Sequence, residues 1–309
     1  MLFRQLEYFV ALARERHFAK AARACYVSQP ALSEAIRKLE ADLGVPLVRR
    51  GRQFDGLTPE GDRLVLWARR ILADRDALEQ EVTALRTGLT GELRIGVIPA
   101  ASTTLALLTD PFCTEHPLVR IAVETGLRSA SIVDRIRRFE LDAGLVYADG
   151  IDTEGCTVTP LYEERHVLVA GTELLAGHTG PLTWADALAL PMCLLNRGMR
   201  GRQLIDQALA TRGLVATPQV ESDSVVTLLA HASTGRWACI VPQTWLHTVR
   251  RPEGVRALPL DDPPVIAHIA LVTAATEPGS VLSRALVATA RATPIAEVLN
   301  ASAPDPGAW

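Results

Sequence analysis

Gln29, Glu34 and Arg37 carry hydrogen-bonding groups at helix spacing, on the side away from an apolar stripe of Leu32, Ile36, Leu39 and Leu43. Pro30 and Ala41 share that outward face, Ser33 and Lys38 flank it, and Gln29 projects from its start. Gln pairs bidentately with an adenine edge, and Glu accepts from cytosine N4. The chemistry on offer is therefore base reading, against the simpler alternative of a solvated face over a helical core. Just downstream, LVRRGRQFDGLTPEG sets Arg49, Arg50 and Arg52 around a glycine, with Phe54 and Leu57 to anchor a small hairpin. Arginines so placed suit phosphates beside the groove. A second group of polar residues lies far along the chain, at four points where strand-like runs give way to helices. These are Ala101, Ser102 and Thr103; Arg128 and Ser129; Asn196, Met199 and Arg200; and Ser224 with Val225. Helix starts favour anions, so this set suits a carboxylate, although Ser and Thr there are equally at home as plain N-caps.

The elements that must carry these residues follow from the pattern. Leu6, Phe9, Val10 and Ala13 recur at helix spacing, as do Phe18, Ala21, Ala22 and Cys25. With the Leu32 stripe they make three short helices that can bury one another. Ser28 is a good N-cap for the third, and Pro30 in its first turn removes a donor that would be orphaned anyway. The tight turn before Ser28-Gln29-Pro30 reads as a helix-turn-helix, which sets its second helix in the DNA major groove. Thr58-Pro59 then opens a long helix over 58–88. Its stripe of Leu64, Trp67, Ile71, Leu78, Val82 and Leu85 can pack on its own domain or on a second copy, Asp74 interrupts it, and Gly88 and Gly91 end it.

Charge agrees with a DNA-binding head. Residues 1–58 hold ten Lys and Arg against six Asp and Glu, a net of +4; the whole chain is −3, so the remainder carries −7. A basic head on an acidic body suits DNA binding at one end only.

On these residues the first 61 positions resemble the DNA-binding domain of LysR-type transcriptional regulators. The matching positions include Ala21, Ala22, Ser28, Gln29, Pro30, Ala31, Leu32, Ser33, Ile36, Leu39, Glu40, Leu43, Gly44, Leu47, Arg50, Leu57, Thr58 and Gly61. Val48 replaces the family's usual Phe, and Glu34 and Asp55 place acid where neutral or basic residues are common. The resemblance runs on more loosely after residue 95. It implies DNA contacts by Ser28, Gln29, Pro30, Ser33, Glu34, Arg37, Lys38, Arg49, Arg50, Arg52 and Thr58, and pairing of two copies through the long helix.

From Leu93 apolar runs alternate with helical segments (93–98, 119–125, 141–148, 165–171, 191–196, 237–242 and 265–274), which predicts α/β architecture with largely parallel sheets. The resemblance implies two Rossmann-like subdomains, similar to a periplasmic binding protein, behind an N-terminal all-α winged helix-turn-helix domain. The expected division is 1–58 for the head, 59–90 for the linker helix and 91–301 for the effector domain. Within the last, subdomain I takes 92–167 and 268–300, subdomain II takes 168–267, and 302–309 form a flexible tail. Hinge crossings fall near 167 and 268, over a cleft lined by the helix starts named above.

The expected partners are double-stranded DNA with an interrupted dyad, a small anionic metabolite, further copies of the chain (a dimer and then a tetramer) and RNA polymerase. No cofactor, membrane span or signal peptide is expected, and the location expected is the bacterial cytoplasm. Two lysines, Lys20 and Lys38, stand against thirty arginines, which with many alanines suits a GC-rich genome. The five cysteines lack C-x-x-C spacing, and the intervals of 43, 37 and 46 between the last four offer no local redox pair. Seven scattered histidines without H-x-x-x-H make no metal site. The rival reading is an α/β enzyme fused to a helical domain, but G-x-S-x-G, P-loop, G-x-G-x-x-G and H-E-x-x-H patterns are missing.

Overall fold

Three apolar stripes meet in the head. In the computed structural model, which describes residues 1–50, 54–248, 253–260 and 264–301, these are α1 (Phe3–Glu15), α2 (Phe18–Ala24) and α3 (Gln29–Leu43). They bury Leu6, Phe9, Leu12, Ala21, Ala22, Leu32, Ile36 and Leu39 together. Leu43 departs from the expected stripe: it sits in the last turn of α3 and is 39% exposed. The His17 ring accepts from the backbone of Ala19 and Lys20 and so starts α2. The Ser28 hydroxyl accepts from Ala31 N at 3.3 Å and starts α3. The antiparallel pair β1 (Val48–Arg50) and β2 (Phe54–Leu57) forms the wing. Glu40 of α3 holds it, accepting from Leu47 N at 2.9 Å and Val48 N at 3.1 Å.

The long helix α4 (Pro59–Thr87) begins under the wing, and Asp74 does not interrupt it. Thr58 caps it, accepting from Gly61 N at 2.9 Å while donating to Pro46 O at 2.7 Å. Gly61 is required for this approach, because a β-carbon there would overlap the Leu47 carbonyl. Gly61→Ala should therefore destabilise the head by about 1–3 kcal/mol, since the backbone must shift to admit the methyl. A lowered melting temperature checks this.

The stripe on α4 splits in two. Val65 and Ala68 are buried, and Leu64, Ile71 and Leu72 pack partly buried against the head's own core. Leu64 and Ile71 are thus partly covered within the chain. Trp67, Leu78, Val82 and Leu85 remain exposed. Ion pairs tie α4 to the rest: Arg75 with Glu7 of α1, and Arg69 with Glu140 of the effector domain.

The second half holds β3 (Gly91–Val97), a 3-10 turn (Pro99–Ser102), α5 (Leu105–Glu115), β4 (Val119–Glu124), α6 (Ser129–Arg137) and β5 (Ala143–Tyr147). Next come β6 (Cys156–Gly171), α7 (Trp184–Leu188), β7 (Met192–Leu195), α8 (Arg200–Ala210), β8 (Val220–Ser222), α9 (Val225–Ala232) and β9 (Ala238–Pro242). The last elements are α10 (Trp245–Thr248), β10 (Val255–Pro259), β11 (Ile266–Ala274), α11 (Val281–Ala292) and α12 (Ile295–Ala301). The strands run in the order β4-β3-β5-β11-β6-β9-β7-β8, with β10 also on β6. Pairing is parallel for β3 with β4 and β5, and for β7 with β8 and β9. It is antiparallel wherever β6 or β11 takes part. The sheet is therefore mixed rather than largely parallel, because these two strands carry the chain between lobes in opposite directions. Residues of β6 up to Arg165 pair with β11, and those from His166 onward pair with β9 and β10.

Each lobe has its own core. Ile95, Phe112, Ile132, Leu145, Leu271 and Leu286 fill the first. In the second, Trp184, Leu194 and Ile205 pack on one side of the sheet, and Val169, Leu228 and Val241 on the other. Cys193 and Cys239 correct the expectation of no local thiol pair: they lie opposite one another on neighbouring strands, fully buried. Their separation of 46 residues conceals a cross-strand contact that only the sheet creates.

Candidate DNA-reading face and effector cleft

The outward face of α3 is open. Gln29, Pro30, Glu34, Arg37 and Lys38 are exposed and Ser33 is half-buried; Arg49 is exposed on β1. Arg37 donates to Glu34 at 3.2 Å, so the two side chains are paired on this open face. The hydroxyls of Ser28 and Thr58 are occupied by the helices that they cap. Arg52, the side chain of Arg50 and the expected tail lie outside the described residues.

The expected effector cleft falls where the two lobes meet. From the first lobe come the 3-10 turn after β3 and the start of α6. From the second come the starts of α8 and α9. Arg128 occupies the N-cap position of α6 and Met199 that of α8, and neither side chain caps its helix. The orphan amides of both first turns are thus unsatisfied by a side-chain cap. The Arg128 guanidinium reaches across to Gly198 in the loop before α8, with Nη2 3.2 Å from where a β-carbon would stand. Arg200 reaches the other way and donates to Asp149 O at 3.5 Å; its Nε is buried without a partner. Trp245 Nε1 also bridges the lobes, donating to Ala100 O at 3.2 Å.

The other expected cleft residues divide by what their side chains do. Thr103 Oγ1 is buried without a partner. Ser102 donates back to Ile98 O at 3.3 Å, and Ser224 accepts from Thr227 N at 3.4 Å, so both hydroxyls serve their own helices. Ser129 is buried and accepts from Tyr147 N at 3.2 Å. Asn196 is exposed. Ala101 and Val225 face the cores rather than a ligand, because both follow the apolar side of their helical turns. Met199 packs against the edge of the second core.

Sequence reasoning missed a buried polar group beneath this cleft. Tyr162, Glu164 and His166 alternate with exposed Glu163 and Arg165 on β6. Glu164 has no exposure; Tyr147 donates to its Oε1 at 3.3 Å and Thr244 to its Oε2 at 3.3 Å. Burial pushes the Glu164 carboxyl up to about 8, against the pull of those two hydroxyls. Burial likewise pulls the His166 ring down to about 4. Both are uncharged at neutral pH. The period-two pattern of LYEERHV was the available signal, but a strand begun at Arg165 cuts it in half.

A winged helix-turn-helix on a long helix, followed by a two-lobed α/β domain, is the build of a DNA-binding regulator with a sensing domain. Residues 3–62 match the bacterial regulatory helix-turn-helix protein, lysR family, and residues 86–294 match the LysR substrate binding domain. The chain is 38% identical over 249 residues to the HTH-type transcriptional regulator EstR of Acinetobacter baylyi, covering 79% of this chain and 81% of that one. It is 30% identical over 296 residues to a hydrogen peroxide-inducible genes activator of Haemophilus influenzae, covering 91% and 92%. In fold it is similar to a full-length OxyR variant from Pseudomonas aeruginosa, with a TM-score of 0.76 and 23% identity over 96% of this chain and 97% of that one. The chain belongs to the LysR family of DNA-binding transcriptional regulators. Among the described residues, no helix is long and apolar enough to cross a membrane.

Proposed function

We propose that this regulator responds to a small organic anion bound between its lobes, and that the head, linker helix and effector domain divide as 1–58, 59–90 and 91–301. The observation that carries the reading is a pair of arginines, one from each lobe, at two helix starts that lack a side-chain cap. Free amides and a positive helix end favour an anion. Arg128 and Arg200 add charge-assisted hydrogen bonds from opposite sides. An anion held by both lobes stabilises one arrangement of the lobes over another, which is the differential affinity that a population shift requires.

The protein acts by binding rather than turnover, in the bacterial cytoplasm. It works as a dimer on an interrupted dyad, with two dimers forming a tetramer that engages RNA polymerase. The Haemophilus relative's name points instead to peroxide. Here the two helix starts present arginines, and Cys193 and Cys239 are sealed in the core, which favours the organic anion.

Two measurements test this. A thermal-shift screen of organic acids should yield hits whose affinity falls at least about tenfold in Arg128→Ala and Arg200→Ala, with operator affinity unchanged. A cationic best ligand, or full affinity in both variants, overturns the cleft reading. In an operator titration, Gln29→Ala should cost about 1–3 kcal/mol at one base pair and relax preference there. Unchanged preference at every position would show that α3 lies differently in the groove.

A further inference from the structure

Helix α6 has one end at the expected cleft and the other against the linker helix. Its N-cap residue is Arg128, whose guanidinium approaches Gly198 of the other lobe. At the far end the chain closes in a Schellman motif, with Phe139 N donating to Ile136 O at 3.0 Å and Glu140 N to Arg135 O at 2.8 Å. Glu140 is therefore bonded to α6 through its backbone, and its carboxylate lies 3.4 Å from Arg135 Nε. The same carboxylate pairs with Arg69 of α4. Arg69 is 15% exposed and Glu140 30%, so water screens this pair less than one on the open surface. Phe139 has a φ of +57°, which glycine adopts without strain and phenylalanine does not. It lines a groove of about 1400 Å³ between α4 and the first lobe, which Ala73, Asp74 and Ala77 of α4 also line. The end of α6 thus meets α4 through an ion pair beside open space, which leaves room for movement.

The seat of α6 is also suited to sliding. Gly96 of β3 and Gly144 of β5 are register partners beneath it. A β-carbon on Gly144 would stand 2.1 Å from Ile132 Cγ2, and one on Gly96 2.6 Å from Leu141 Cδ1 and 3.2 Å from Ile132 Cγ1. Ile132 of α6 therefore rests on bare strand backbone, as strand glycines permit. A helix seated so can shift along its axis without climbing over side chains, which is the small sliding of a shear motion. We propose that α6 carries the effector signal to the linker helix, moving when an anion binds at Arg128 and drawing Arg69 after it through Glu140, a step that rests on the anion reading of the cleft and adds how the head feels it. The nine residues of α6 span about 14 Å, so one rigid element joins the two places. Coupling of this kind needs an element whose position both sites bias, and α6 touches both. A second tie between α4 and the effector domain, Arg284 with Glu81 at 2.7 Å, starts from α11, which contributes none of the cleft residues.

The probes are benzoate, salicylate, succinate and citrate, and the acid carried forward is one that binds wild type by calorimetry and loses affinity in Arg128→Ala. That acid should shift wild-type operator affinity by about fivefold or more and change amide exchange in α4 around Arg69. In Glu140→Gln and in Arg69→Gln the acid should bind as it does to wild type, while the operator shift falls below about twofold. The double variant should lose no more than either single one, because the two side chains act as one contact. Arg69→Lys keeps the charge and should restore most of the shift. Glu81→Gln breaks the pair with Arg284 instead and should leave the shift intact. A full shift in both Glu140→Gln and Arg69→Gln, or an equal loss in Glu81→Gln, overturns the α6 route and leaves the anion reading standing. So does an Arg69→Lys protein that responds no better than Arg69→Gln, or an acid that binds wild type and changes neither operator affinity nor exchange. If none of the acids binds in the cleft, the anion reading fails and the route that starts from it falls too.

Discussion

Leu78→Glu should turn the protein into a smaller species that still folds, with operator affinity lower by a factor on the order of 10²–10⁴. Leu78 is 65% exposed and Trp67 59%, and Val82 and Leu85 lie open on the same helix. Large apolar side chains in a row on one helix mark an interaction surface. A second copy of α4 is the occupant that the long-helix resemblance implies. A carboxylate in that seam would be buried without a partner. Each head would then have to find its half-site alone, without the effective concentration that tethering gives. Ile71→Glu is the control. Ile71 packs on the head's own core, so its substitution should lower the melting temperature of the head, whereas Leu78→Glu should not. Sedimentation velocity, melting and operator titration on the two variants separate the cases. A Leu78→Glu protein that sediments as wild type and binds DNA normally would remove this face from the assembly.

The head was legible in the sequence because its information is local. Ser28, Pro30 and the stripe Leu32, Ile36 and Leu39 each act within a turn or two, through capping and helix period. Leu43 misled because a stripe continues in sequence after the core that it faces has ended. On α4 the period was legible, but not which of its residues the head's own core partly covers. Leu64 and Ile71 share a repeat with Trp67 and Leu78, but a helix leaving a small domain changes what lies beside it along its length. The cleft was legible only as a set of helix starts. Which serine is spent as a cap, as Ser224 is, and which arginine crosses to the other lobe, as Arg128 does, depends on how the two lobes close. Least legible were Glu164, His166 and the Cys193–Cys239 neighbours. Glu and His usually signal a surface, and their burial here is imposed by β6 passing between two sheets.

That burial gives the second large effect, a pH dependence of stability that one substitution should remove. Glu164 ionises near 4.5 in an unfolded chain and at about 8 in the fold. Between those values the folded protein holds a proton that the unfolded chain has released. The stability from this proton is complete below pH 4.5 and is lost as pH rises, on the order of 1.4 kcal/mol for each unit up to about 8. His166 works in the opposite sense: its ring stays neutral in the fold down to about 4, so it lowers stability only as pH falls below 6.5. Above 6.5 the carboxyl acts alone of the two. Glu164→Gln keeps the shape and the acceptor for Tyr147, and it cannot ionise. Denaturant unfolding between pH 6.5 and 9 should show wild type weakening relative to Glu164→Gln at each step up to about pH 8, with the difference between the two constant beyond it. Parallel curves for the two proteins would mean that Glu164 keeps an ordinary carboxylate value in the fold, and that water reaches the floor of the cleft.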